Sequence, residues 1–522
     1  MSYPFSVADI GWIPVRVRSD LDADETAELR SLLPEASPGE CTRVGLRHLF
    51  QGAHLFADLD FAVPPVEAVA RRLLAAVTAR VAGLDTGTSA QWPDARDDLL
   101  ATGRFDADRV DEYLKAHAHR WNLYYSAQPF LQDIRLAQEC GKGQAPGRLV
   151  MDRPSGSNAV WTTHIAQDVP VAGPDAVQWL LAWYGYGPSG TGTHRTHGSR
   201  KGGSCKAGPY RSLVSYFPHA PERLFVSLVA SVPGPSAWPT GSGPDLAPWE
   251  RDELPDPLAP DAACGPVSLL TRRTAHALLL TGDDAGQTTS CKITWNTAVD
   301  LPAAVDPYVI ERTQGGPVRA DRARSAWRDL DAMLLKTQPG SKSTLRRPTV
   351  FDAVAELAPQ VQRQLGVRVL AWDQERQEKD NQWYAATTPP VLQHIEEADP
   401  QGAAAIATAR RSAEAAAGDL ARALAAAWLD VHVKRDPQQR HGFVEAARTR
   451  YWERAEEEFW QAVRAPDPDR RPAFRRLALE RFDQATATLK ATVHGMSAVA
   501  KARAQLTLPR THATRSTRKR TR

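Results

Sequence analysis

The chain has 522 residues, 42% hydrophobic and 24% charged, with a net charge of +3. That length predicts two or three domains around a large core, and the near-neutral balance gives no global case for a polyanion partner, so any such case must be local. Five cysteines (Cys41, Cys140, Cys205, Cys264, Cys291) form no C-x-x-C pair, which suits reduced thiols in a cytoplasm better than a disulfide framework. The N-terminus has no signal-peptide core, and no window of about 18 apolar residues predicts a membrane span.

In chain order, WIPVRV (12–17) reads as a strand and VEAVARRLLAAVTARVAGL (66–84) as an amphipathic helix. AVQWLLAWY (176–184) is a second helix, with Val177, Leu180, Leu181 and Tyr184 on one face. RLFVSLVAS (223–231), HALLLTG (276–282) and CKITW (291–295) read as buried strands. The long Pro-rich stretch 232–266 is expected to be functional or covered by a partner. After Thr388-Pro389-Pro390 the texture changes. Residues 403–433 carry Ile406, Ala413, Leu420, Leu424, Trp428 and Val431 on one stripe, and 441–464 repeat through Phe443, Ala447, Tyr451, Ala455 and Phe459. One last long helix is expected to turn Phe474, Leu477, Phe482, Ala485, Leu489, Val493 and Met496 inward. With a short helix near 391–398 these make an antiparallel four-helix bundle. The fold class is therefore α+β: a mixed α/β domain over 1–382, the bundle over 383–508, and a basic tail over 509–522. That tail carries Arg515, Arg518, Lys519, Arg520 and Arg522 with no acid among them. It is either a solvated tail or a phosphate contact.

The stretch 185–208 holds eight glycines, and no Asp or Glu occurs from Ala176 to Pro221. It carries Arg195, Arg200, Lys201 and Lys206 with His194 and His197. Glycine lets backbone N–H groups approach a ligand, and unopposed cations suit a polyanion; the plain alternative is a flexible surface loop. Gly185, Gly187 and Gly190 match G-x-G-x-x-G, but a helical pattern precedes them and nothing helical follows, so the dinucleotide reading fails. His194, His197 and Cys205 lack a fourth metal ligand. His117 and His119 stand two apart on a predicted helix and point to different faces. No nucleophile elbow, phosphate-binding loop or carboxylate dyad stands out, so no enzyme is expected.

WIPV (12–15), PFLQD (129–133), the helix 176–184 running into the glycine stretch, DPYVIERTQGGPVRADRARSAWRDLDAML (306–334) and VRVLAWDQERQEKDNQWYAATTPPVL (367–392) occur in this order along the chain. Together they resemble the CasA family, the large subunit of the type I-E CRISPR surveillance complex Cascade. The resemblance implies a mixed N-terminal domain, a C-terminal four-helix bundle, and as partners the other Cascade subunits with crRNA, target double-stranded DNA and a recruited helicase–nuclease. In such complexes guide pairing reads most of the target, while the protein reads a short protospacer-adjacent motif (PAM) and helps open the duplex. The resemblance implies a glycine loop at Ser189, Gly190 and Gly192, a lysine finger at Lys292, and a glutamine wedge at Gln377 or, second, Gln374. Arg195, Lys201 and Lys206 add phosphate contacts on this reading, and Arg475, Arg476 and Arg481 add them from the bundle. Some members bind zinc through paired cysteines. Cys140 has no neighbouring partner here, so no metal or other cofactor is expected. Two other readings compete: a ribonucleoprotein scaffold that binds backbone without a PAM role, and an enzyme using the His/Cys loop.

Overall fold

The computed structural model describes residues 5–124, 127–153, 169–271, 275–297, 305–336, 345–374, 380–432, 436–464 and 471–507. It divides into two compact units. The first comprises Met1–Ala326 and Ala332–Ala398, the second Trp327–Asp331 and Asp399–Arg522.

In the first unit, β1 (Ile13–Val17), β2 (Cys41–Val44) and β3 (Phe56–Leu59) form an antiparallel sheet in the order β2-β1-β3. After β4 (Val171–Ala172) comes the hairpin of β5 (Gly190–His197) and β6 (Arg200–Cys205), then β7 (Val214–His219). β8 (His276–Gly282) and β9 (Gln287–Trp295) pair with β4 in the order β4-β9-β8. A small sheet joins β10 (Glu311–Arg312), β11 (Gly316–Pro317) and β12 (Leu345–Arg346). Finally β13 (Gly366–Gln374) and β14 (Asp380–Thr387) extend β7 in the order β14-β13-β7.

The spine of this unit is the helix Pro64–Ala82. Two prolines pre-set its first turn, and Gly83 ends it in the left-handed conformation at φ 71°. Its apolar residues run around the whole circumference, so it lies buried on every side. The charges it carries inward are all paired. Arg72 makes a two-pronged contact to Asp306 at 2.9 and 3.0 Å, donates to Ser215 Oγ at 3.0 Å, and stacks on the Tyr210 ring. Glu67 takes Arg71 at 2.8 Å and both prongs of Arg368 from β13, while Arg71 also reaches Asp58 on β3. His219 on β7 sits 3.7 Å from Asp58, and burial pushes its pKa down to about 4.

The strands expected over 12–17, 276–282 and 291–295 and the helix over 66–84 are present. RLFVSLVAS is not a strand: Leu224–Ala230 is a buried helix. A short apolar run carries no period to separate the two. Ser227 Oγ decides locally, accepting from Ala220 N at 2.9 Å. The Pro-rich stretch packs onto its own unit: Trp249 is buried, and Glu250 takes Arg80 and the Tyr113 hydroxyl.

The first unit extends to Ala398 because Asp380–Thr387 is a sheet strand, bonded to β13 through Arg368↔Thr387 to Gln374↔Asp380. The helix expected near 391–398 is a single 3-10 turn, Leu392–His394. The second unit holds helices Pro400–Val431, Pro437–Arg464, Arg471–Ala485 and Val493–Thr507, the first packing on each of the others. The single last helix of the sequence reading is thus two. The β-branched run Thr486, Thr488, Thr492 and Val493 weakens helix, and Thr492 Oγ1 caps a new start by accepting from Gly495 N at 3.0 Å. Val493 and Met496 consequently face outward, 79% and 51% exposed. Trp327 stacks on Phe459 at 4.5 Å, and Arg328 lies over Trp452 and pairs with Glu414.

Removing the Asp306 carboxylate strands a buried guanidinium. Asp306→Ala is expected to cost about 3–5 kcal/mol, read as a lower denaturant midpoint of the first unit's transition in the full chain. Asp306→Asn, which keeps an acceptor, costs less.

Candidate nucleic-acid interface

The glycine-rich stretch is a built hairpin, not a loose loop. β5 and β6 pair from Gly190↔Cys205 to His197↔Arg200, with an irregularity between Thr191 and Arg195. Gly198 turns the chain at φ 53°. Two other glycines serve close approach. A Cβ on Gly192 would meet the Ile293 carbonyl oxygen at 2.5 Å, and one on Gly203 would meet that of Gly192 at 2.4 Å. β9 holds the hairpin through Thr294 Oγ1 donating to the Thr193 carbonyl at 2.6 Å and Trp295 Nε1 donating to that of Gly202 at 2.9 Å.

Arg195 is the anchor, and its expected role as a phosphate contact is corrected here. It is 0% exposed. It donates to Asp133 at 2.9 Å, Glu139 at 2.6 Å and the Trp295 carbonyl at 3.0 Å, with its guanidinium over the Trp295 ring. Glu139 also takes His197 Nδ1 at 2.6 Å, and Asp256 stands 3.3 Å from Nε2 of the same ring. The acids missing from the hairpin's own sequence arrive from 133–139 and 256. Lys201 and Lys206 remain exposed, as do Gly190 and His194, with Ser189 and Gly192 half-buried. Arg200 folds over the Trp295 ring at 4.2 Å. Cys205 is buried, its thiol pushed up to about 11 by desolvation. The G-x-G-x-x-G match is empty of meaning, since Gly185 lies inside helix Gly173–Tyr186 and a strand follows.

His276 secures the hairpin's entry. It lies 3.0 Å from the Pro188 carbonyl, so Nε2 carries the proton, and the ring packs edge-on to Trp183. Burial depresses its pKa from 6.5 to about 4. Asp133, Glu139 and His276 were not singled out by sequence reasoning. Asp133 ends the quoted PFLQD, yet nothing in that motif says what it binds.

Lys292 lies on β9, but its ammonium donates to the carbonyls of Leu136, Ala137 and Cys140 at 3.1–3.3 Å. All three donors are engaged at the end of the short helix Leu136–Glu139. Gln374 is corrected as a wedge. It is 5% exposed, donating Nε2 to Asp380 at 2.9 Å and accepting from Ser212 N at 3.2 Å. Gln377 lies outside the described residues, between the ends of β13 and β14, as does the basic tail 509–522. The trio expected on the helical unit is no cationic patch. Arg475 donates to the Leu506 carbonyl at 2.6 Å and Arg481 to Gln484 at 2.7 Å. Arg476 is exposed among Glu457, Glu458 and Glu480. Among the described residues, no group of three or more His, Cys, Asp or Glu side chains could hold a metal ion, and no helix is long and apolar enough to cross a membrane.

Residues 12–494 match the family model of the CRISPR-associated protein Cse1, and the chain belongs to that family. It is 26% identical over 316 residues to CRISPR-associated protein CasA/Cse1 of Thermus thermophilus, a match that spans 58% of this chain and 58% of that curated relative. It is similar to a chain of a CRISPR RNA-guided surveillance complex, with a TM-score of 0.83 and 31% identity over 97% of this chain and 99% of that one. The crystal structure of Thermobifida fusca Cse1 shares the fold at a TM-score of 0.75 and 19% identity, over 96% of this chain and 97% of that one.

Arg195→Ala leaves Asp133 with Arg135 alone and Glu139 with His197 alone, and is expected to cost on the order of 3 kcal/mol. Lys201→Ala, on the hairpin's exposed face, stays within about 0.5 kcal/mol. Both are read by denaturant titration of the full chain.

Acid is expected to loosen the same anchor. The folded pKa of His276 is below its unfolded value, so stability is complete above pH 6.5 and is lost as pH falls towards 4. His276→Gln should remove about 3 kcal/mol of that dependence, leaving the part due to the other groups with depressed pKa values, His219 and Asp58 among them.

Proposed function

We propose that the chain is the large subunit of a type I-E Cascade complex. On this reading it assembles with crRNA and the other subunits in the cytoplasm, recognises the PAM of double-stranded DNA, promotes R-loop formation, and offers the surface on which a helicase–nuclease docks. It performs no catalysis itself and needs no metal. Its second unit acts as the four-helix bundle of the family. The observation that carries the reading is the 31% identity to a chain of a CRISPR RNA-guided surveillance complex over 97% of this chain.

Two hairpins support a DNA-facing role. β5–β6 presents the exposed Lys201 and Lys206 and the open backbone at Gly190, held against β9 by Arg195. β13 and β14 are paired strands, and Gln377 falls in the sequence between their ends. Minor-groove readout is degenerate and needs few contacts, and a wedge acts by replacing stacking. Lys292 can read a groove only by leaving three carbonyls.

The experiment is R-loop formation by the reconstituted complex on randomised PAM duplexes. Gln377→Ala should slow opening of fully paired DNA and do far less on a target already unpaired beside the PAM. Equal defects on both targets, or no PAM preference in the parent complex, would leave only a backbone-binding scaffold. Lys292→Met separates its two roles. A loss of PAM discrimination worth about 1–3 kcal/mol supports the lysine finger, and a uniform loss on all targets assigns Lys292 to packing.

A further inference from the structure

Three distant segments meet at the base of β13–β14. Ser212 is buried in the left-handed region at φ 61°, a conformation costly for a residue with a Cβ. Gln374 holds it there. Its Oε1 accepts from Ser212 N at 3.2 Å, and the Ser212 hydroxyl donates to the Gln374 carbonyl. From Ser212 the chain passes to a bridge between Leu213 and Arg319, and Ala320 N donates to the Ser212 carbonyl at 2.8 Å. Residues 319–322 are then laid along the hairpin stem by both of its strands. Asp321 N donates to the Tyr384 hydroxyl at 3.3 Å, and Arg322 N donates to Asp373 at 3.4 Å.

The acids at this junction already have partners. Asp380 takes Arg211 at 2.6 Å and Gln374 at 2.9 Å. Asp321 accepts from Ala323 N at 2.9 Å, and Asp373 from Asn381 at 3.3 Å. The side chains of Arg319 and Arg322 are different. Both residues are exposed, and among the described residues neither guanidinium makes an ion pair or a hydrogen bond. Other arginines of this unit are engaged by carboxylates inside it, as Arg72, Arg195, Arg347 and Arg368 are. Two that are fixed by their backbone and left open at the side chain suit an anion from outside, and a planar guanidinium matches a phosphate geometrically.

We propose that Arg319 and Arg322 bind phosphodiester groups of a DNA strand that runs along the stem of β13–β14, with Gln374 as the positioning residue that sets their segment through Ser212. The proposal rests on the reading that this hairpin meets DNA, and it adds what holds the strand beside the wedge. Contacts of this kind position without reading sequence.

The test uses the full reconstituted complex and measures DNA affinity against salt. Arg319→Gln with Arg322→Gln should lower the slope of log affinity on log salt by about 1.8 for duplex phosphates or about 1.4 for single-stranded ones, equally for good and poor PAMs. Arg319→Lys with Arg322→Lys should restore most of the slope. Gln374→Ala should lower the slope while removing no charge. A loss that persists on a target lacking the displaced strand assigns the contact to duplex phosphates. A loss seen only when that strand is present assigns it to the displaced strand. An unchanged slope in the double Gln variant, while Gln377→Ala still slows opening of paired DNA, overturns the phosphate contact and leaves the hairpin reading standing. Silence of both variants overturns the hairpin reading itself.

Discussion

The guanidinium of Arg195, closed in by Asp133, Glu139 and the Trp295 carbonyl, is the interaction on which the exposed hairpin depends. A two-stranded ribbon rich in glycine is marginal in water, because it buries little side chain and orders much backbone. This one is fixed because a charge on its inner face is desolvated and fully met by partners from elsewhere in the chain. Breaking one side of such a pair costs far more than forming it gained. The effect of the arrangement is therefore geometric: the hairpin has one position against β9. Gly192 and Gly203 complete the fit by letting backbones approach where a Cβ would collide.

The same device recurs at the core. Arg72, Arg71 and Glu67 project from one buried helix and reach Asp306, Asp58 and Arg368, so the helix is tied to β3, to β13 and to the segment before β10. Apolar packing alone would leave a helix that is hydrophobic all round free to rotate among near-equivalent settings. Paired charges at 67, 71 and 72 admit one setting only. Stability in this unit comes from its apolar core, and register comes from its arginines.

What was legible in the sequence follows from this. Strands at 12–17, 276–282 and 291–295 and the helix at 66–84 announce themselves because burial pattern is local. The helix Leu224–Ala230 hides because six apolar residues around one serine carry no period. Thr492 hides because the apolar spacing continues across it through Leu489, Val493 and Met496, although the β-branched run from Thr486 to Val493 was a readable sign of a break. The larger misreading was electrostatic. The absence of acids between Ala176 and Pro221 is real along the chain, but ion pairs close through space, and Asp133, Glu139 and Asp256 come from outside that window. Counting charges over a window finds cations. It does not find which of them are already paired.

That distinction bears on how a chain of net charge +3 could engage DNA at all. Nonspecific affinity grows with the number of phosphates neutralised, and this chain withdraws many of its arginines into internal pairs. Other cations face outward, among them Lys201 and Lys206 on one hairpin and Arg319 and Arg322 beside another. Withdrawing arginines in this way lowers the nonspecific affinity that such a surface can have for duplex. On the proposed function this suits a subunit that must sample many sites while guide pairing supplies the energy of commitment. Placing outward cations on or beside paired strands also helps, because a pre-positioned guanidinium loses little entropy on meeting a phosphate. The buried arginines and the exposed ones are thus parts of one arrangement, the first set holding the second at fixed positions.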